Sequence, residues 1–185
     1  MTPTARGRYV TVPAADGGSF RAYVSLPPRT PAPGIVMQHT MFGVNDQFRG
    51  FCDRYAAEGY VVIAPDLFWR IEPGIELDYA EESYEKGHGY IKVLDKDKAI
   101  DDVEAARRFL LTLPEHRGTV AAVGYCLGGT LAFLVAARTP IDAAVSYYAI
   151  DMEAHFDEVA NVTAPTVVHL GTKDAYVKPG AFDLI

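Results

Sequence analysis

Short apolar runs alternate with longer segments of helical spacing along this chain, the order expected of an α/β sheet with helices on its faces. Arg8 to Pro13 and Phe20 to Leu26 flank Asp16-Gly17-Gly18 and predict a hairpin. The proline-rich stretch from Pro27 to Pro33 reads as a loop. It leads into a strand over Gly34 to Gln38 and a helix from about Asn45 to Glu58 that stops near Gly59. Tyr60 to Ala64 predicts a buried strand ended by Pro65. From Asp66 to Lys92 the pattern is irregular and aromatic, with a short helix through Glu81-Glu82-Ser83-Tyr84-Glu85, as expected of a cap over a site. Asp95 to Leu113 predicts the longest helix, since Ile100, Val103, Ala106, Leu110 and Leu113 make one apolar stripe. Beyond it come a strand over Thr119 to Val123, a helix over Thr130 to Ala137, a strand over Ala143 to Tyr147, a short helix near Met152 to Val159 and a strand over Thr166 to Leu170. No internal repeat or low-complexity tract interrupts this order.

A chain of 185 residues with 49% hydrophobic and 22% charged side chains can bury one substantial core, so residues 1–185 are expected to form a single domain. The net charge of −7 speaks against nucleic acid or an anionic membrane as a partner held by bulk attraction. Met1 to Arg8 lacks the apolar core of a signal peptide, and no uninterrupted apolar stretch is long enough to span a bilayer. A cytoplasmic location is therefore expected, where free thiols stay reduced. Cys52 sits among apolar residues at helical spacing and reads as packing. Neither a disulfide framework nor a metal-ligand spacing is visible.

The chemistry concentrates in Gly124-Tyr125-Cys126-Leu127-Gly128-Gly129, the G-x-S-x-G nucleophile-elbow pattern with a thiol in the serine position. An apolar run precedes it and a helical segment follows, which is the junction that a strained strand-to-helix turn requires. Glycines there let the strand and helix backbones approach, and the helix N-terminus is expected to favour a thiolate at Cys126. The alternative is a buried structural thiol. After the last predicted strand, Gly171-Thr172-Lys173-Asp174 places a carboxylate downstream of the nucleophile. That order suits a catalytic acid, although Gly-x-x-Asp is also ordinary turn chemistry.

With these motifs the chain resembles the dienelactone hydrolases, cysteine members of the α/β-hydrolase fold. The resemblance runs nearly end to end. It rests on Phe42-Gly43-Val44-Asn45, Ala64-Pro65-Asp66-Leu67 with Arg70 and Pro73-Gly74, Asp102-Val103-Glu104-Ala105-Ala106, the elbow with Leu131-Ala132-Phe133-Leu134-Val135-Ala136, Tyr147-Tyr148, and Gly171 with Asp174. It implies a mostly parallel twisted sheet flanked by helices. It also implies a Cys–His–Asp triad cleaving a small ester or lactone through an acyl-enzyme, with Cys126 attacking, Asp174 orienting the histidine, and the N–H groups of Leu127 and Met41 forming the oxyanion hole. His39, Thr40, Phe42, Tyr84 and Tyr125 are expected around the substrate, and the mechanism calls for no cofactor and no metal.

Three departures from the family pattern follow. Thr40 stands where the family has a glutamate that helps form the thiolate. Tyr84 stands where it has an arginine that clamps the dienelactone carboxylate, so a preference for dienelactone itself is not implied. The family histidine, which follows the acid by another strand and loop, has no counterpart before Ile185, and the fold is expected to lack its last strand and helix. Among the five histidines, His169 reads as a buried strand residue and His88, His116 and His155 as surface residues. His39, at the end of the strand before Met41, reads as either a pocket wall or a base near Cys126. The sequence thus carries two readings. One is a hydrolase; the other is a catalytically impaired homologue that binds a small molecule or serves as an interaction module. It says nothing of oligomeric state.

Overall fold

In a computed structural model, residues 6–177 are described; residues 1–5, within the segment read above for a signal peptide, and 178–185, where the chain end was read, lie outside the described residues. The strands are β1 (Arg6–Pro13), β2 (Ser19–Leu26), β3 (Ala32–Gln38), β4 (Val61–Pro65), β5 (His116–Tyr125), β6 (Ala143–Tyr147) and β7 (Thr166–His169). They form one sheet in the order β1-β2-β4-β3-β5-β6-β7. The β1–β2 hairpin pairs antiparallel, β2 meets β4 antiparallel, and every pair from β4 through β3, β5 and β6 to β7 is parallel. This is the mostly parallel, helix-flanked open sheet expected.

Among the described residues four α-helices accompany it: α1 (Asp46–Ala57), α2 (Glu81–Val93), α3 (Lys96–Leu111) and α4 (Leu127–Arg138), followed by a 3-10 segment over Met152–Asn161. Asn45 and Asp95 cap α1 and α3 by accepting the N–H groups of Phe48 and Lys98, satisfying donors that a helix start leaves unpaired. Phe48, Cys52 and Ala56 of α1 pack on one sheet face with Ile35, Met37, Val62 and Val123. The stripe of α3 and nearly all of α4 fill the other face with Val36, Ile63, Ala122 and Ala144. Cys52 is fully buried, as expected of packing.

Two elements differ from expectation. The short helix through Glu85 extends to Val93 because Gly87 is a packing contact: a β-carbon there would stand 3.0 Å from the Met41 side chain and 3.1 Å from its carbonyl oxygen. The glycine lets the cap helix lie against the loop after β3. At the sheet's far side, β7 is the edge strand among the described residues, with Val167 51% exposed and His169 exposed. The expectation of a buried His169 is therefore corrected: its ring stacks on Tyr147 at 4.6 Å, yet the residue is exposed among the described residues.

One buried network ties three parts of the chain together. Asp102 of α3, fully buried, accepts from Trp69 Nε1 (2.8 Å) and from Arg70 Nη2 (2.8 Å), and Arg70 reaches on to Asp16 in the hairpin turn. Burial pushes the Asp102 carboxyl up while Arg70 and Trp69 pull it down. Removing one member of a buried pair leaves the other unpaired. Because Arg70 keeps Asp16, Asp102→Ala should cost about 2–3 kcal/mol, below the range for full isolation of a charge. Urea unfolding of the two proteins reads this, and a difference within about 0.5 kcal/mol would show that the network contributes little to stability.

Candidate active site

The carboxyl ends of β3, β4, β5, β6 and β7 lie on one side of the sheet, where open α/β sheets hold their ligands. β5 runs directly into Cys126, whose backbone sits at φ 57° and ψ −118° before α4 begins. That left-handed value is a strained state for a non-glycine residue. It is held by Cys126 N–H donating to Tyr147 O (3.0 Å) and by Gly129 N–H donating back to Cys126 O (2.9 Å). The flanking glycines are required sterically. A β-carbon on Gly124 would stand 1.7 Å from Gly128 O, and one on Gly128 would stand 2.1 Å from Gln38 O.

Beside the elbow lies a cavity of about 440 Å³ whose wall includes Thr40, Met41, Phe42, Tyr84, Cys126 and Asp174. Six of the expected site residues therefore meet in one place. The Met41 N–H donates to no described residue. The Leu127 N–H points at the Cys126 thiol. Thr40 Oγ1 accepts the Phe42 N–H (3.3 Å), and Phe42 O accepts Leu77 N–H (3.0 Å), which stitches the cap to this loop.

Two expected pocket residues lie elsewhere. Tyr125 points to the α1 face, where it stacks on Tyr147 at 4.9 Å and shares a 3.0 Å hydroxyl contact with Tyr55. His39 is fully buried behind the wall. Its Nδ1–H donates to Thr40 O (2.6 Å), its Nε2 accepts Leu67 N–H (3.0 Å), and its ring packs on Phe68. With both nitrogens used, His39 pins the loops after β3 and β4 and has no lone pair left for a thiol proton.

His88 on α2, expected at the surface, is instead half-buried in the cavity wall and stacks on Tyr176. His116 and His155 are also half-buried, away from the cavity. The aromatic Tyr79, Tyr148 and Tyr176 complete much of the wall and were not foreseen. Tyr79 was signalled only by the aromatic richness of the cap and Tyr148 only by the Tyr147-Tyr148 pair of the resemblance, because neither pattern says which ring faces the cavity. No histidine among the described residues lies within hydrogen-bond reach of Cys126 or Asp174. Asp174 Oδ1 accepts the Tyr176 N–H (2.9 Å), so the turn chemistry read from its sequence is also present.

The electrostatics correct one expectation. Burial pushes the Cys126 thiol above its ordinary value and the Asp174 carboxylate raises it further, while the Leu127 N–H pulls the other way and loses. The helix N-terminus by itself does not yield a thiolate here. Cys52 is also raised, by burial above all.

Residues 20–185 match the model of the dienelactone hydrolase family. A carboxymethylenebutenolidase of Pseudomonas putida is 37% identical over 177 residues, covering 95% of this chain and 75% of the relative. Carboxymethylenebutenolidase 1 of Cupriavidus pinatubonensis is 36% identical over 177 residues, covering 95% and 76%. The crystal structure of a dienelactone hydrolase from Anabaena variabilis superposes with a TM-score of 0.71 at 16% identity, covering 98% of this chain and 79% of that one, a likeness of fold. No helix among the described residues is long and apolar enough to cross a membrane.

Two measurements check this geometry. Iodoacetamide should label Cys126, half-exposed at the cavity, well before buried Cys52. The rate should still be climbing above about pH 9, since the raised thiol ionises late; a plateau by pH 8 would contradict the desolvated setting. Burial holds His39 neutral, with its folded pKa below the unfolded value. The stability it supports is complete above about pH 6.5 and is lost as pH falls from there toward the folded value. Removal of the ring strands the Leu67 N–H, so His39→Ala should cost about 2–4 kcal/mol at pH 7.5 and less at pH 5, read by urea titration at both.

Proposed function

The chain belongs to the dienelactone hydrolase family, and from that premise we propose that it hydrolyses a small ester or lactone through a thioester on Cys126. The observation that carries this reading is the strained Cys126 at the head of α4, facing a cavity that also holds Met41 and Asp174. In the first half-reaction the sulfur adds to the carbonyl carbon, and the Leu127 and Met41 N–H groups stabilise the oxyanion. Collapse breaks the ester C–O bond, and the leaving oxygen takes up the proton that the thiol gave. Water then attacks the thioester, releasing the acid and restoring the thiol. The reaction as written uses side chains, N–H groups and water.

Asp174 suits the orienting acid because it shares the cavity and its charge bears on Cys126. Its Oδ1 is occupied by Tyr176, while Oδ2 has no described partner and is open to an imidazole N–H. Two free cysteines fit a reducing cytoplasm.

The acylation and deacylation halves make different demands on a base. A proton can leave the thiol to the departing oxygen, whereas water attacking a thioester relies on a base whose assistance is worth roughly 10²–10⁴-fold. The 185-residue chain should therefore release a burst of about one equivalent of p-nitrophenol from p-nitrophenyl acetate, followed by a slower phase. Cys126→Ala should remove both phases with the fold intact by circular dichroism; a burst that survives this change would sink the assignment. His88→Gln tests the histidine on the cavity wall. If the slow phase falls about 100-fold with the burst intact, deacylation belongs to His88, and an unchanged slow phase excludes it.

A further inference from the structure

The cavity wall also carries information about the substrate beyond its reacting bond. Phe42 is flanked by the rings of Tyr79 (4.5 Å, 53°) and Tyr84 (5.0 Å, 85°), making an aromatic bank on the cap side. The same cavity wall holds Tyr148, held at φ 38°, and Tyr176, whose ring stacks on His88 of α2. Tyr79, Tyr84, Tyr148 and Tyr176 are 51%, 42%, 42% and 57% exposed. Single exposed apolar side chains are common on any protein, but four large rings gathered at one mouth form a patch of the kind that marks a binding surface. Flat rings set edge and tilt around a gap suit another flat ring, which gains offset or edge contacts beyond its buried area.

The charge in the same wall points one way. Among the described lining residues Asp174 is the sole carboxylate, and no lysine or arginine is present. An acyl group bearing a carboxylate would enter a partly desolvated space facing a like charge, with no lysine or arginine among the described lining residues to pair with.

Resting on the hydrolase reading above, we propose that this site selects esters whose acyl part is uncharged and flat, an aryl or conjugated group, and rejects acyl parts that carry a carboxylate. Tyr84 supplies the face that receives the ring, and Asp174 supplies the repulsion.

The test compares three p-nitrophenyl esters with one leaving group: the 3-phenylpropanoate, the butanoate and the hemisuccinate. Each acylation rate constant is read from the burst by stopped flow at about pH 8.5, two units above the ordinary imidazole value, and divided by the rate with a free small thiol. The phenylpropanoate should acylate Cys126 about three- to tenfold faster than the butanoate. The hemisuccinate should be at least about tenfold slower than the butanoate. Tyr84→Ala should bring the phenylpropanoate down to the butanoate, and Tyr84→Arg should lift the hemisuccinate above it. A hemisuccinate as fast as the butanoate, or a phenylpropanoate no faster, overturns the proposal while leaving the hydrolase reading standing. If no ester acylates Cys126, the hydrolase reading fails instead. The selectivity is then decided by protection of Cys126 from iodoacetamide: 3-phenylpropanamide should protect at lower concentration than succinamate, and the reverse order overturns the proposal.

Discussion

The close backbone approach at the elbow is the constraint on which the rest of the site depends. Gly124, Gly128 and the carbonyl of Gln38 occupy space in which no β-carbon fits, so β3, β5 and the start of α4 are locked at contact distance. The cost is a cysteine at φ 57°, a strain of roughly 1–3 kcal/mol. Burial of α4 offsets it: Leu127 through Ala136 are all buried, which makes this helix the least free to shift. Ser146 Oγ donates to Gly129 O and Thr130 Oγ1 to Ile150 O, so β6 and the segment after it are fixed to the same turn. Because Gly128 touches the β3 end, the loop that carries Met41 inherits its position from the elbow.

His39 extends that lock outward. One ring nitrogen holds Thr40 O and the other Leu67 N–H, so the loops after β3 and β4 move together. The cap is fastened to them by the Gly43–Glu76 bridge, by Leu77 N–H on Phe42 O, and by Arg49 reaching both Val44 O and Glu76. Glu76 is held below its usual range by Arg49 and Arg21 against the opposing effect of burial, so the cap's anchor is ionised at neutral pH. Burial of the site therefore rests on a chain of contacts from glycine packing to an ion-pair cluster at the cap's base.

Much of this was legible in the sequence for identifiable reasons. α1 and α3 carry one-sided apolar stripes and caps at Asn45 and Asp95 whose side chains can accept a backbone N–H, while β3, β4 and α4 stand out as continuous apolar runs bounded by turn residues. The elbow was legible because its glycines answer a steric demand with few other solutions. What escaped notice depends on tertiary phase. The place of Gly87 inside a helix expected only through Glu85 makes sense once Met41 is seen beside it, and His88 reads as a surface residue until α2 is laid over the cavity. Tyr125 follows the alternation of β5 and points away from Cys126, its sequence neighbour, because adjacent strand residues face opposite sides. His169 misled because a short run around Val167 and Val168 says nothing about how many sides of a strand are covered.

The electrostatic setting of Cys126 follows from the same packing. A turn tight enough to present the sulfur to a cavity also removes it from water, and the desolvation outweighs the Leu127 N–H. Each unit by which a thiol is raised costs about tenfold in thiolate at neutral pH. Intrinsic nucleophilicity recovers about threefold of that, since it rises with basicity at a Brønsted slope near 0.4–0.5. The net loss of about threefold per unit is modest, so a protonated resting thiol is compatible with attack once a proton acceptor arrives. Asp174 on its own works against ionisation, because its charge has the sign of the thiolate. With an imidazole between them the same carboxylate would stabilise the imidazolium formed when the thiol gives up its proton, and its effect on attack would reverse. The contribution of Asp174 is therefore conditional on what occupies the space between it and the sulfur.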